Sequence, residues 1–122
     1  AIAGARNIVE IGAEHGGATA RLAAHAAERG GTLTSIDPDP KPDFIAWVGT
    51  QTHVRHLGAP SLQVIDGLAD VDAWVIDGDH NWFTVFHDLG AIERVCARDR
   101  KPLLVFLHDV GWPSARRDFY YT

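Results

Sequence analysis

The sequence predicts an α/β fold: a doubly wound, Rossmann-like, mostly parallel sheet with helices on both faces. Short runs rich in β-branched and apolar residues alternate with segments whose apolar residues recur at helical spacing. Some of these short runs, such as the one over 103–107, are apolar throughout, which is typical of parallel strands buried on both faces. A strict alternation of strand and helix supplies the crossovers that parallel strands need. In such a fold we expect ligands at the carboxyl ends of the strands.

The boundaries of the elements follow from apolar runs and from glycine and proline breaks. The predicted strands are Asn7–Ile11, Thr32–Ile36, 52–57, Ala73–Ile76 and 103–107. The predicted helices are 18–29, 44–48, 61–68 and 81–98. Apolar stripes mark the first helix (Ala18, Leu22, Ala26) and the last (Val85, Leu89, Ile92, Val95, Cys96). Prolines within 37–40 stop the second strand, because proline has no backbone N–H to donate to a sheet.

The third strand has two candidate positions. Residues 61–65 are apolar enough to form it, but only 66–72 would then separate it from the strand Ala73–Ile76. A parallel crossover needs about a dozen residues. We therefore predict the strand over 52–57 and a short helix over 61–68.

Composition limits the class of protein. The chain has 122 residues, 46% of them hydrophobic, and its net charge is −5. These values predict one domain over residues 1–122 and exclude a disordered chain. The acidic balance argues against nucleic acid as a partner, and no apolar run approaches the ~20 residues of a membrane span. The one cysteine, Cys96, excludes an internal disulfide and fits a reducing compartment, so we expect a cytoplasmic protein.

The ends of the sequence lead us to expect a piece of a longer protein. The chain contains no methionine, hence no initiator, and it stops at Tyr120-Tyr121-Thr122 with no closing element. Homo-oligomerisation is left open by these features.

A glycine-containing turn follows the first predicted strand. Gly12 and Gly16 allow a tight turn beneath a ligand, and the helix that follows directs its free N–H groups towards it. Asp37 ends the second strand, where a carboxylate can accept both hydroxyls of a ribose. The Gly-x-x-x-Gly spacing differs from the dinucleotide-binding fingerprint. Nucleotide binding and a purely structural turn are both compatible with this segment.

The segment Glu10-x-Gly12-x-x-x-Gly16 resembles the first motif of the class I methyltransferases that use S-adenosylmethionine. Asp37 matches the acidic residue that binds the cofactor ribose in that family. The resemblance extends from residue 8 to about residue 110, and the last two strands of the full family fold do not appear in the sequence. The residues that it assigns to the cofactor are Glu10, Gly12, Gly16, Asp37, Ser61 and Asp77.

Two further segments resemble the metal-dependent branch that methylates sugars and natural products. They are Asp77-Gly78-Asp79-His80 after the fourth strand and His108-Asp109 after the fifth. The resemblance implies that Asp77, His108 and Asp109 bind a divalent cation, with His80 as the catalytic base. Oxygen ligands suit Mg²⁺, and the imidazole of His108 would also admit Mn²⁺, Fe²⁺ or Zn²⁺. Asp79 is expected to cap the following helix rather than to bind the cation. In the alternative interpretation of His108, it only orients Asp109.

These observations predict a divalent-metal-dependent O-methyltransferase that acts on a small hydroxylated acceptor, a sugar or a secondary metabolite. Two other functions were weighed. A metal-dependent hydrolase would leave Glu10, Gly12, Gly16 and Asp37 without a task. A non-catalytic binding or assembly module is favoured by a fifth strand left at the edge of the sheet, because an unpaired edge usually needs a partner.

Overall fold

The computed structural model describes residues 4–12, 17–76 and 82–107. Its strands are β1 (Asn7–Ile11), β2 (Thr32–Ile36), β3 (Val54–Leu57), β4 (Ala73–Ile76) and β5 (Val105–Leu107). Its helices are α1 (Gly17–Glu28), α2 (Pro42–Val48), α3 (Ser61–Val64) and α4 (Trp82–Asp99), and a 3₁₀ turn (Ile65–Gly67) continues α3. Strands and helices alternate, as predicted.

The strands form one parallel sheet in the order β3-β2-β1-β4-β5. The chain winds outwards from β1 to β3, then returns to the other side of β1 to form β4 and β5. The direction of winding therefore reverses between β1 and β4. Open α/β sheets bind their ligands in the crevice at the carboxyl ends of the strands at such a reversal.

One face of the sheet packs against α4 and the segment Ile65–Val71. Trp74, in the middle of β4, is fully buried there, together with Val9 of β1 and Ile92 of α4. The predicted stripe of α4 is confirmed, since Val85, Ile92, Val95 and Cys96 are buried and Leu89 packs against the same cluster. No helix among the described residues combines the length and the apolar character that a bilayer span requires.

The opposite face packs against α1. Ala23 and Ala26 of α1 are buried against Ile8, Leu33 and other apolar strand residues. Leu22 is partly buried in the same cluster, as its place in the predicted stripe requires. Alanine side chains are short, so they let the helix lie close above β1 and β2. The sheet thus has helices on both faces, as expected for a doubly wound fold.

Several elements differ from the prediction. The bounds of α1, α2 and α4 differ by one or two residues, and the strand predicted over 103–107 begins only at Val105. The strand predicted over 52–57 begins only at Val54, and the helix predicted over 61–68 is four residues of α-helix followed by the 3₁₀ turn. Residues 61–65 are helical, so their rejection as a strand is confirmed. The predicted burial of the fifth strand on both faces is wrong, because Phe106 is 36% exposed and Leu107 47% exposed. In the described part of the chain β5 pairs only with β4, and an edge strand has fewer neighbours to cover it.

The carboxylate of Asp72 joins three segments at the amino end of the sheet. One oxygen, Oδ2, accepts hydrogen bonds from the N–H groups of Arg6 (3.1 Å) and Asn7 (3.0 Å). The other, Oδ1, accepts a 2.7 Å hydrogen bond from Lys101 Nζ, just before β5. Burial raises the pKa of Asp72, but these hydrogen bonds outweigh it and hold the pKa below its ordinary value. The ionised form of Asp72 therefore stabilises the fold.

Asp72→Asn is expected to lower the free energy of unfolding at pH 7 by about 1.5–3 kcal/mol, the usual range for a charge-assisted hydrogen bond. Because the pKa of Asp72 is lower in the folded protein, its carboxylate contributes to the free energy of unfolding at pH values above the unfolded-state pKa, about 3.9. This contribution is lost as the pH falls through the folded-state pKa. The difference between variant and wild type, measured by chemical denaturation, should therefore shrink below about pH 4. Asp70→Asn is the control, because Asp70 is exposed and makes its hydrogen bonds through its backbone. An Asp72→Asn difference that is equal at neutral and acid pH would contradict the assignment.

Candidate functional site

The carboxyl ends of β1, β2 and β3 are aligned by hydrogen bonds that continue beyond the strands. The N–H of Gly12 donates to the carbonyl of Ile36 (2.8 Å), and the N–H of Asp37 donates to that of Leu57 (3.1 Å). The residues that follow the strands therefore lie side by side. The first of these hydrogen bonds brings Gly12 next to Asp37, as a nucleoside bound between the ends of β1 and β2 would require.

Gly12 begins the turn after β1 in a conformation that favours glycine. Its φ is +86°, in the left-handed region where a side chain with a Cβ atom is strained. This finding supports the sequence interpretation of Gly12 as the residue that allows a tight turn beneath a ligand. Gly16, the second glycine of the motif, lies outside the described residues.

Glu10, two residues before Gly12, is buried in the interior of the protein. Its side chain is 1% exposed on the face covered by α1, and its Oε1 accepts hydrogen bonds from the hydroxyls of Thr19 and Ser35. Ser35 is its register partner on β2, and Thr19 belongs to α1. A buried carboxylate needs such donors, because burial without them is costly. The network joins β1, β2 and α1 close to Gly12. The contact of Glu10 with the cofactor stays a prediction.

Asp37 stands at the edge itself, half-buried beside Gly12. Its Oδ1 accepts a 2.9 Å hydrogen bond from the N–H of Asp39, which forms an Asx turn and holds the carboxylate in place. A carboxylate held in this position is suited to accept hydrogen bonds from the two hydroxyls of a ribose. Together, Gly12 and Asp37 fit the nucleoside part of S-adenosylmethionine.

Ser61 begins α3, four residues after the end of β3, and its hydroxyl contacts α4. The hydroxyl donates a 2.5 Å hydrogen bond to Oδ1 of Asp88, and both side chains are buried. Burial raises the pKa of Asp88, although the hydrogen bond from Ser61 opposes this shift. The predicted contact of Ser61 with the cofactor stays a prediction.

Asp88 was missed by reasoning from the sequence, although a signal was available. It lies three residues after Val85 and four before Ile92, within the apolar stripe of α4. A charged residue at such a position is nearly always paired when buried. The stripe therefore predicts a partner for it, but not that the partner is Ser61, 27 residues earlier.

The proposed metal and base residues follow β4 and β5. Asp77, His80, His108 and Asp109 lie outside the described residues. The two strands that precede them are neighbours, and Ile76, the last residue of β4, pairs with Leu107, the last of β5. The expected adjacency of these two strands is thus confirmed. Within 4–12, 17–76 and 82–107, no group of three or more His, Cys, Asp or Glu side chains is placed to hold a metal ion.

The comparison with protein families agrees with this geometry. A family model described as a methyltransferase domain matches residues 9–110, which includes most of β1, all of β2 to β5 and the motifs at their carboxyl ends. No curated protein matches the chain. The match covers most of the sequence, and the parallel sheet, Gly12 after β1 and the carboxylate of Asp37 after β2 have the expected arrangement. The chain therefore belongs to the methyltransferase-domain family, whose members are S-adenosylmethionine-dependent methyltransferases.

Proposed function

We propose that this domain transfers a methyl group to a hydroxyl oxygen of a small acceptor, a sugar or a secondary metabolite, and that it uses a divalent cation to do so. The observation that carries the proposal is the pairing of Ile76 with Leu107. Because these strands end in register, the segments beginning at Asp77 and His108 leave the sheet from adjacent points. Two carboxylates and an imidazole, from Asp77, Asp109 and His108, form a donor set that suits a divalent cation.

Each residue has a distinct task in the proposed reaction. S-adenosylmethionine supplies an electrophilic methyl group on its sulfonium sulfur, and the protein must chiefly align this group with the acceptor oxygen. Asp37 binds the ribose, and Gly12 lets the backbone approach the donor. Asp77, His108 and Asp109 would hold the cation, which when bound lowers the pKa of the acceptor hydroxyl. His80 accepts the proton of that hydroxyl at a ring nitrogen, since imidazole is mostly neutral at pH 7.

Thermal unfolding with S-adenosylhomocysteine, with and without Mg²⁺, tests donor and cation binding. A mass gain of one methyl group across a panel of hydroxylated compounds tests transfer. We expect a higher unfolding temperature with S-adenosylhomocysteine and transfer that stops when a chelator removes divalent ions. Binding without transfer to any acceptor would favour a non-catalytic binding module, and transfer that continues with chelator would exclude the cation.

Asp77→Asn should weaken Mg²⁺ binding in calorimetric titration about 10- to 100-fold, because it removes a charged oxygen ligand. Asp79→Asn is the matched control two residues away in the same motif. It is expected to leave Mg²⁺ affinity unchanged if Asp79 only caps the following helix. Equal losses of Mg²⁺ affinity in the two variants would contradict the distinction between Asp77 as a ligand and Asp79 as a helix cap. Unchanged Mg²⁺ affinity in Asp77→Asn would contradict the role of Asp77 as a ligand.

A further inference from the structure

The buried hydrogen bond between Ser61 and Asp88 joins the loop after β3 to the helix α4. We propose that Asp88 is a positioning residue for the methyl-donor site: through Ser61 it holds the segment 58–60 against the carboxyl edge of the sheet. The inference rests on the donor binding at this edge, as in the proposed function. Asp88 itself is not assigned a contact with the donor.

The position of the segment 58–60 is determined at both of its ends. Before the segment, the carbonyl of Leu57 accepts a hydrogen bond from the N–H of Asp37, the residue that we assign to the ribose. At the end, the hydroxyl of Ser61 donates to Asp88. A shift of Ser61 would therefore be transmitted along a few residues of backbone to the neighbourhood of Asp37. The hydrogen bond from Ser61 to Asp88 opposes such a shift, because it ties Ser61 to α4.

Burial alone does not account for a carboxylate at position 88. The side chain is 1% exposed, and its neighbours in the stripe of α4, Val85 and Ile92, belong to the apolar core. A buried carboxylate contributes less to stability than a well-packed apolar side chain of similar size, unless its hydrogen bonds offset the loss of hydration. The carboxylate makes the contact directional, because it accepts a hydrogen bond from the hydroxyl of Ser61 in one geometry. Apolar packing would allow several geometries.

The same helix links this contact to the other half of the site. α4 begins at Trp82, two residues after His80, and Asp88 lies in its second turn. The proposed base, His80, thus precedes the helix by two residues. Asp88, the partner of Ser61, lies six residues after the first residue of the helix. The hydrogen bond between Ser61 and Asp88 therefore connects the segment 58–60 to α4, the helix that follows the proposed base His80.

The experiment compares single and double variants by calorimetric titration with S-adenosylhomocysteine, alongside thermal unfolding of each. Asp88→Leu removes the acceptor, leaves Ser61 in place and should weaken binding about tenfold, which corresponds to the loss of one buried hydrogen bond. Asp88→Asn keeps an acceptor oxygen and should bind within about twofold of wild type. Glu93→Leu is the matched control, an exposed carboxylate on the same helix, and should not change the affinity.

The double variant Ser61→Ala/Asp88→Leu separates positioning from stability. Replacing both partners by apolar groups should restore most of the unfolding temperature, because no buried hydroxyl is left unsatisfied. The affinity should nevertheless stay about tenfold below wild type, since nothing directs the segment 58–60. Recovery of affinity together with stability would overturn the proposal, and so would wild-type affinity in a folded Asp88→Leu variant. If Asp88→Leu does not fold, Asp88→Ala is measured in its place. Absence of binding by the wild-type protein would instead refute the donor site itself.

Discussion

Replacing Asp37 with alanine is expected to weaken binding of S-adenosylhomocysteine by about 10- to 100-fold, the usual effect of losing a charge-assisted hydrogen bond. The reason is the place of Asp37 at the carboxyl edge. It directly follows β2, lies beside Gly12 and is held by the N–H of Asp39. No other carboxylate follows β1, β2 or β3 directly, since Gly12 and Gly58 take the equivalent places after β1 and β3.

Calorimetric titration measures this effect, and two further variants separate its causes. Asp37→Asn keeps an acceptor for the N–H of Asp39 and so preserves the turn, but it removes the negative charge that favours the ribose hydroxyls. We expect it to bind between wild type and Asp37→Ala. Asp39→Ala is the control, because Asp39 is exposed and contributes only its backbone N–H to the turn. Unchanged affinity in Asp37→Ala would place the ribose elsewhere.

The second large effect is expected from His80→Ala, which should lower kcat by about 10²- to 10⁴-fold, the usual contribution of a general base. The affinity for S-adenosylmethionine should be unchanged, because the proposed task of His80 is to accept the acceptor proton and not to bind the donor. With imidazole as the base, the kcat of the wild type should fall as the pH drops below about 6.5. His80→Ala should lack this dependence.

A role for His80 in orienting the cation predicts a different result. In that case the variant should bind Mg²⁺ more weakly, and excess Mg²⁺ should restore kcat. His87→Ala is the matched control, an exposed histidine on α4 whose replacement should leave kcat unchanged. Near-normal turnover of His80→Ala at saturating Mg²⁺ would remove His80 from the mechanism.

The sequence was most informative about the type and order of the elements. The strands Asn7–Ile11, Thr32–Ile36 and Ala73–Ile76 were predicted residue for residue, because buried parallel strands are short apolar runs bounded by glycine, proline or aspartate. The rule on crossover length was enough to reject a strand over 61–65. Alternation, in turn, predicts that the residues after the strands share one edge. Alternation therefore places Gly12 and Asp37 at the same edge of the sheet, and the structure shows that they are neighbours.

The tertiary structure decided which of the polar residues face the edge and which face the interior. Glu10 and Asp37 are both carboxylates at the ends of predicted strands, yet Glu10 is buried under α1 and Asp37 is half-exposed. The difference arises because Glu10 lies within β1, where α1 covers it, whereas Asp37 lies one residue beyond the end of β2. The sequence left the fifth strand at the edge of the sheet, but its apolar run did not show that the side chains of Phe106 and Leu107 are exposed.

The pairing of Ser61 with Asp88 illustrates the same limit. Each residue is ordinary in its local context, a serine at the start of a short helix and an aspartate within a long one. Local patterns depend on neighbours three or four residues away, and they determined the elements of this protein and the edge where its site lies. Contacts between residues 27 apart depend on how α3 and α4 pack on the sheet. Those contacts were decided only by the folded chain.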